Sequence, residues 1–245
     1  MSDKRREAFK EVASWRIDAN LENNERYFYK TFEVDMLLRG DKSYVIGRKG
    51  TGKTAIANFL KSQKSYDYFA SNLSLKNFPF NTLYSLKDES YTNPNEYITI
   101  WKYIIYIDIL YLMQENQSIN EKVKKDIKTI LPKKPIKGLS RRIKEITSKE
   151  FKFDIKALSF CYGISDIKDE LNWIEKVEFL EELIFENIDN SNYFIIFDEL
   201  DEDYKHQSVL EPDSQYLNLI AGLFKAIQHI KSLSFDYNLK INPVI

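Results

Sequence analysis

The sequence predicts an α/β fold: a mainly parallel sheet with helices on both faces, a helical lead-in before it and a largely helical insertion within it. Three observations predict this. Short apolar runs alternate with longer segments of helical periodicity, the pattern of strands joined by crossover helices. One such run, SYVI at 43–46, enters a glycine-rich turn that opens directly into a helical segment. Another, YFIIF at 193–197, ends in the acidic row DELDE.

Taken in order, residues 5–38 read as largely helical, with Phe9, Val12, Trp15 and Ile17 at roughly helical spacing. Residues 18–24 interrupt that pattern, and a second helix carries Tyr27, Phe28, Phe32 and Met36. Gly40 and Asp41 form a turn. The SYVI run is expected as a short buried strand, followed by a helix at 55–62 with Ile56, Phe59 and Leu60 inward. NTLYSL at 81–86 reads as a second strand. Residues 95–116 are apolar all round, the mark of an enclosed helix. Their apolar stretch is short for a membrane span and carries Lys102 and Asp108, both costly in lipid.

A further helix is expected at 119–131, a loop at the proline-rich PKKPIKGLSRR, and a strand or hairpin at 151–160. Residues 171–188 are amphipathic, with Trp173, Ile174, Val177, Leu180, Leu183 and Ile184 on one side. YFIIF is then a buried strand, 215–233 a helix, and KINPVI the start of another strand. This divides the chain into a lead-in at 1–39 and a core at 40–245, the insertion lying at about 90–168.

Composition excludes several classes. The chain has 245 residues, 43% hydrophobic and 30% charged, with a net charge of −1. That suits a globular protein and gives no overall attraction to a polyanion. Cys161 is alone, so neither an internal disulfide nor a cysteine-rich zinc site is available. His206 and His229 lack neighbouring ligands. The charged start carries no secretory signal pattern, and a cytoplasmic location without membrane contact is expected. Residues 122–144, from Lys122 to Lys144, hold ten basic side chains against one acid, Asp126. A solvated face is the plainer reading of that run, and a nucleic-acid surface the sharper one.

Chemistry concentrates at GRKGTGKT. The chain has only seven glycines, and three of them, Gly47, Gly50 and Gly52, fall within these eight residues. The spacing of Gly47, Gly52, Lys53 and Thr54 matches a phosphate-binding loop, and a strand before and a helix after supply its context. Glycines let the backbone N–H groups of Gly47, Arg48, Lys49, Gly50, Thr51, Gly52, Lys53 and Thr54 turn toward an anion. The following helix points its positive end at the same place. Lys53 would bridge the β- and γ-phosphates of a bound nucleotide, and the Thr54 hydroxyl would hold Mg²⁺. Such a loop needs an acidic metal partner at a strand end. Asp198 fills that place, and Glu199 would polarise the attacking water as a general base.

The loop together with Asp198-Glu199 resembles the Walker A and Walker B motifs of P-loop NTPases in the additional-strand, catalytic-glutamate division. GRKGTGKTAI with FIIFDELDE and a helical lead-in is similar to bacterial ATPases grouped with the KAP, STAND and AAA types, some of which serve phage defence. The resemblance implies a three-layer sandwich, ATP and Mg²⁺ as ligands, hydrolysis, and work as a homo-oligomer or with an effector protein. A nucleotide-gated switch or scaffold with little hydrolysis is the alternative. In that division the strand following Walker B lies between the Walker B strand and the phosphate-loop strand. KINPVI reads as the beginning of that central strand, so the C-terminal part of the sheet is expected to be incomplete. An aromatic of the lead-in, Tyr27, Tyr29 or Phe32, is a candidate for stacking on adenine, with helix packing as the plainer role.

Overall fold

The computed structural model describes residues 3–13, 28–76, 97–131, 173–200 and 215–245. The expected strand at 81–86, the loop at 132–142, the strand or hairpin at 151–160, Tyr27 and Cys161 lie outside the described residues. Within them the chain is mixed α/β, with seven helices and a three-stranded parallel sheet.

The helices are α1 (Asp3–Ala13), α2 (Phe32–Leu38), α3 (Lys53–Ser62), α4 (Ile98–Glu115), α5 (Glu121–Ile130), α6 (Trp173–Asn187) and α7 (Gln215–Asp236). The strands are β1 (Tyr68–Ser74), β2 (Asn192–Asp198) and β3 (Ile241–Val244), in the order β1-β2-β3. β1 pairs with β2 from Tyr68 opposite Asn192 to Ser74 opposite Asp198. β3 pairs on the other side of β2, with Tyr193 opposite Ile241 and Ile196 opposite Val244.

β2 is buried because apolar residues occupy both of its faces, as a central parallel strand requires. Tyr193, Ile195 and Phe197 join Leu73 and Ile241 in the larger cluster, against α4, α6 and α7. Phe194, Ile196 and Val244 face Ala57 and Leu60 of α3 and Leu37 of α2 in a smaller one. Thirteen of the eighteen residues of α4 are buried, which explains its lack of a polar stripe. It is a core helix, and no helix among the described residues is long and apolar enough to cross a membrane.

Three expectations change. The second lead-in helix begins at Phe32, after Thr31, so Phe28 precedes it and instead stacks on Phe59 at 4.1 Å. β1 lies at Tyr68–Ser74, a stretch not expected as a strand because serine and asparagine dilute its apolar residues. The run at 43–46 is extended but is only partly buried. Ser43 is 5% exposed, whereas Tyr44 and Ile46 are 37% and 93% exposed. Its pairing is one parallel bridge: Ile245 N–H donates to Ser43 O at 2.8 Å, and Val45 N–H donates to Ile245 O at 2.7 Å. β3 pairs with β2 and, through the next residue, Ile245, bonds the run that enters the glycine-rich loop.

Pro243 fits this position. Tyr193 N–H donates to Lys240 O, so even-numbered residues of β3 bond toward β2 and odd-numbered ones away from it. The missing N–H of Pro243 thus faces away from β2, where the neighbouring chain is still turning through Gly40 and Asp41.

Candidate functional site

The site forms where the glycine-rich loop and the end of β2 meet. Gly50 and Gly52 have φ of +85° and +91°, a region that side chains with a Cβ rarely enter. Gly47 is needed for a different reason: a Cβ there would lie 2.4 Å from Thr51 Oγ1. The loop is closed by its own bonds, with Thr51 Oγ1 donating to Arg48 O at 2.8 Å. Gly52 caps α3 without a side chain, so no cap side chain takes the first N–H groups of that helix. Arg48, Lys49, Gly50 and Thr51 are exposed.

Lys53 begins α3 and folds back over the loop. Its Nζ donates to Gly47 O at 2.8 Å and to Arg48 O at 3.2 Å. An ammonium held by two neutral carbonyls exchanges them readily for a phosphate, because charge-assisted bonds are the stronger ones.

Thr54, one residue further, faces β2. Its Oγ1 lies 3.5 Å from Asp198 Oδ1, across 144 residues of sequence. Asp198 is fixed in turn: its Oδ1 accepts from Glu199 N–H at 2.9 Å, and its carbonyl accepts from Leu75 N–H at 2.9 Å. A hydroxyl and one carboxylate suit Mg²⁺, which commonly takes one or two carboxylates and completes its shell with water and phosphate oxygens. Among the described residues no group of three or more His, Cys, Asp and Glu gathers around a metal position.

Glu199 has φ of +64°, a left-handed conformation that few non-glycine residues adopt. Surrounding contacts must hold such a residue. Ser74 Oγ, at the end of β1, donates to Glu199 Oε2. Lys76 Nζ stands 4.0 Å from Glu199 Oε1, and Lys76 N–H donates to Ser74 Oγ at 3.2 Å. A cavity of about 210 Å³ opens between these parts. Gly47, Lys53, Asp198 and Glu199 form its polar end, while Ala57, Leu60, Ile196 and Val244 contribute to its apolar wall.

The structure thus brings Gly47, Lys53, Asp198 and Glu199 around one cavity, with Thr54 beside it against Asp198. Sequence reading missed Ser74 and Lys76, because β1 was expected further along the chain. The available signal was the short run of Tyr68, Phe69, Ala70 and Leu73, broken by Ser71 and Asn72. Other candidates fall elsewhere. Tyr29 and Phe32 are exposed on the lead-in. Asp201, Glu202 and His206 lie outside the described residues. His229 is on α7, its pKa lowered by partial burial and by the nearby Lys102 charge. Within the basic run, Lys122, Lys125 and Lys128 are exposed on α5, and Lys124 pairs with Glu121 at 3.1 Å. The remainder of that run, from 132 on, is outside the described residues. Comparison with protein-family models, with curated proteins and with solved structures gave no match to this chain.

Proposed function

We propose that this chain binds Mg-ATP at the loop 47–54 and hydrolyses it, as a P-loop NTPase of the additional-strand, catalytic-glutamate division. The observation that carries the reading is the approach of Thr54 Oγ1 to Asp198 Oδ1, with Glu199 on the same cavity. A chance strand–turn–helix has no reason to bring its second post-glycine residue to the acidic end of a distant strand. The position of β3 between β2 and the run at 43–46 also supports it, since the strand after Walker B has that place in the division.

The proposed chemistry assigns one task to each group. The loop N–H groups and the α3 N-terminus hold the phosphates. Lys53 leaves Gly47 O and Arg48 O for the β- and γ-phosphate oxygens. Thr54 and Asp198 hold Mg²⁺, which would neutralise charge developing on the phosphates. Glu199 takes the proton of the attacking water as its oxygen bonds to the γ-phosphorus and the bond to the β-phosphate oxygen breaks. ADP and phosphate are the products.

A second reading, a nucleotide-gated switch with little hydrolysis, is favoured by one observation. Glu199 already accepts from Ser74 and stands near Lys76, contacts that hold its carboxylate toward the end of β1 in this arrangement. ATP turnover by the wild type, Lys53→Ala and Glu199→Gln separates the two. Hydrolysis requires turnover that Glu199→Gln abolishes, and the switch requires nucleotide binding with slow turnover in both. A homo-oligomer or effector protein as the coupled partner follows from the resemblance. Its test is particle size with and without Mg-ATP. Nucleic-acid binding through Lys122, Lys125 and Lys128 is tested by salt-dependent binding to single-stranded DNA.

A further inference from the structure

The loop is entered through a short segment whose position is set by the C-terminal α7–β3 unit. Lys231 of α7 donates from Nζ to Gly40 O at 2.7 Å and to Ser43 Oγ at 2.8 Å. Asn242 of β3 packs so tightly on Gly40 that a Cβ there would lie 2.1 Å from Asn242 Oδ1. Gly40 also has φ of +77°, so the turn it makes is specific to glycine. Ile245 then bonds Ser43 O and Val45 N–H. Tyr44 lies against Phe224 of α7, ring centroids 5.0 Å apart. The contacts fall between Gly40 and Val45, and Gly47 follows two residues later.

An ammonium that is partly withdrawn from water relies more on its protein acceptors than an exposed one does. Lys231 is partly buried, so loss of either acceptor would leave a charge poorly solvated. It therefore selects one geometry of the 40–43 turn rather than adding a diffuse surface attraction. We infer that Lys231 is a positioning residue for the phosphate loop: through Gly40 and Ser43 it fixes the segment that delivers Gly47 and Lys53 to the nucleotide. The assignment rests on the proposed Mg-ATP site and adds to it a mechanical link. A change in the seating of α7 is transmitted to the loop through this side chain, beside the Tyr44–Phe224 contact.

The test uses the full chain and two readouts, Mg-ATP affinity and amide exchange at 44–52. Lys231→Met keeps the apolar stem and removes both bonds. It is expected to weaken Mg-ATP binding about tenfold, the scale of a lost bond to a charged group, and to speed exchange at 44–52 while β2 stays protected. Lys231→Arg, which retains a cationic donor, is expected to recover part of both. A purely structural role would lower the unfolding midpoint and leave affinity and loop exchange in place. Lys231→Met binding within about twofold of wild type, with unchanged loop exchange, overturns the assignment. Should Lys231→Met fail to fold, Ser43→Ala removes one acceptor and is expected to speed the same exchange; unchanged exchange there overturns it as well. If the wild type binds no Mg-ATP, the nucleotide reading fails, and the exchange readout still decides the link.

Discussion

The two halves of the candidate site are held very differently. Asp198 ends a strand whose five preceding residues are all buried, packed by helices on one face and by α2 and α3 on the other. The glycine-rich loop follows a run that is half exposed and, among the described residues, bridged only to Ile245, the residue after β3. The acidic side is a fixed reference. The loop side is adjustable, closed on itself through Lys53 and Thr51, and its glycines permit rearrangement. Such a division suits the proposed Mg-ATP site, in which the loop would wrap the phosphates while Asp198 and Glu199 stay in register.

Breaking the fixed half at its chemistry should give the largest effect. Under the hydrolytic reading, Glu199→Gln lowers ATP turnover by about 10²–10⁴-fold, the usual range for a general base, and leaves Mg-ATP affinity nearly unchanged. Steady-state phosphate release and equilibrium binding check the two parts separately. Breaking the same half at its foundation should be severe in another way. Ile105 is fully buried in α4 beneath the sheet, and Ile105→Ala should cost about 2–5 kcal/mol in urea unfolding. Glu199→Gln should not lower stability comparably.

The adjustable half should respond mainly in affinity. Lys53→Ala removes the ammonium from a site where bonds to charged groups contribute about 1.5–3 kcal/mol, so Mg-ATP binding weakens about 10- to 100-fold. Its unfolding midpoint should stay near that of wild type, because Lys53 bonds only exposed loop carbonyls.

The smallest effect lies at the far end of β2. Burial alone would raise the pKa of Asp189, but bonds from Ser191, Tyr193 and Asn116 outweigh it and hold the carboxyl below its ordinary value. A depressed carboxyl contributes stability that is present above the unfolded value of about 3.9 and lost as pH falls through the folded one. Tyr193→Phe removes one donor, so its melting temperature should fall less steeply than wild type's from pH 5 to pH 3.

Much of this was legible from residue patterns, and the exceptions have physical causes. YFIIF, the enclosed helix α4 and the glycine cluster announced themselves, because burial on both faces and left-handed turns restrict residue choice severely. Asp198 and Glu199 followed from the strand end. β1 was hidden because Ser71, Asn72 and Ser74 interrupt its apolar residues, and a more apolar stretch drew attention. The reduced burial of Tyr44 and Ile46 was not visible either. Apolar residues signal a strand whether or not a neighbour covers them. Ser74, Lys76 and Lys231 reach the site through partners 125, 123 and 188 or more residues away, and local sequence carries no trace of such pairings.

The central claim is that Thr54 and Asp198 jointly hold the metal of a bound nucleotide. A double-mutant cycle of Thr54→Ala and Asp198→Asn, read as ATP affinity with Mg²⁺ and with EDTA, tests it most directly. The account predicts coupling of about 0.5–3 kcal/mol with Mg²⁺ and its disappearance in EDTA. Additive effects in Mg²⁺, or no saturable binding of Mg-ATP by the wild type, would contradict it.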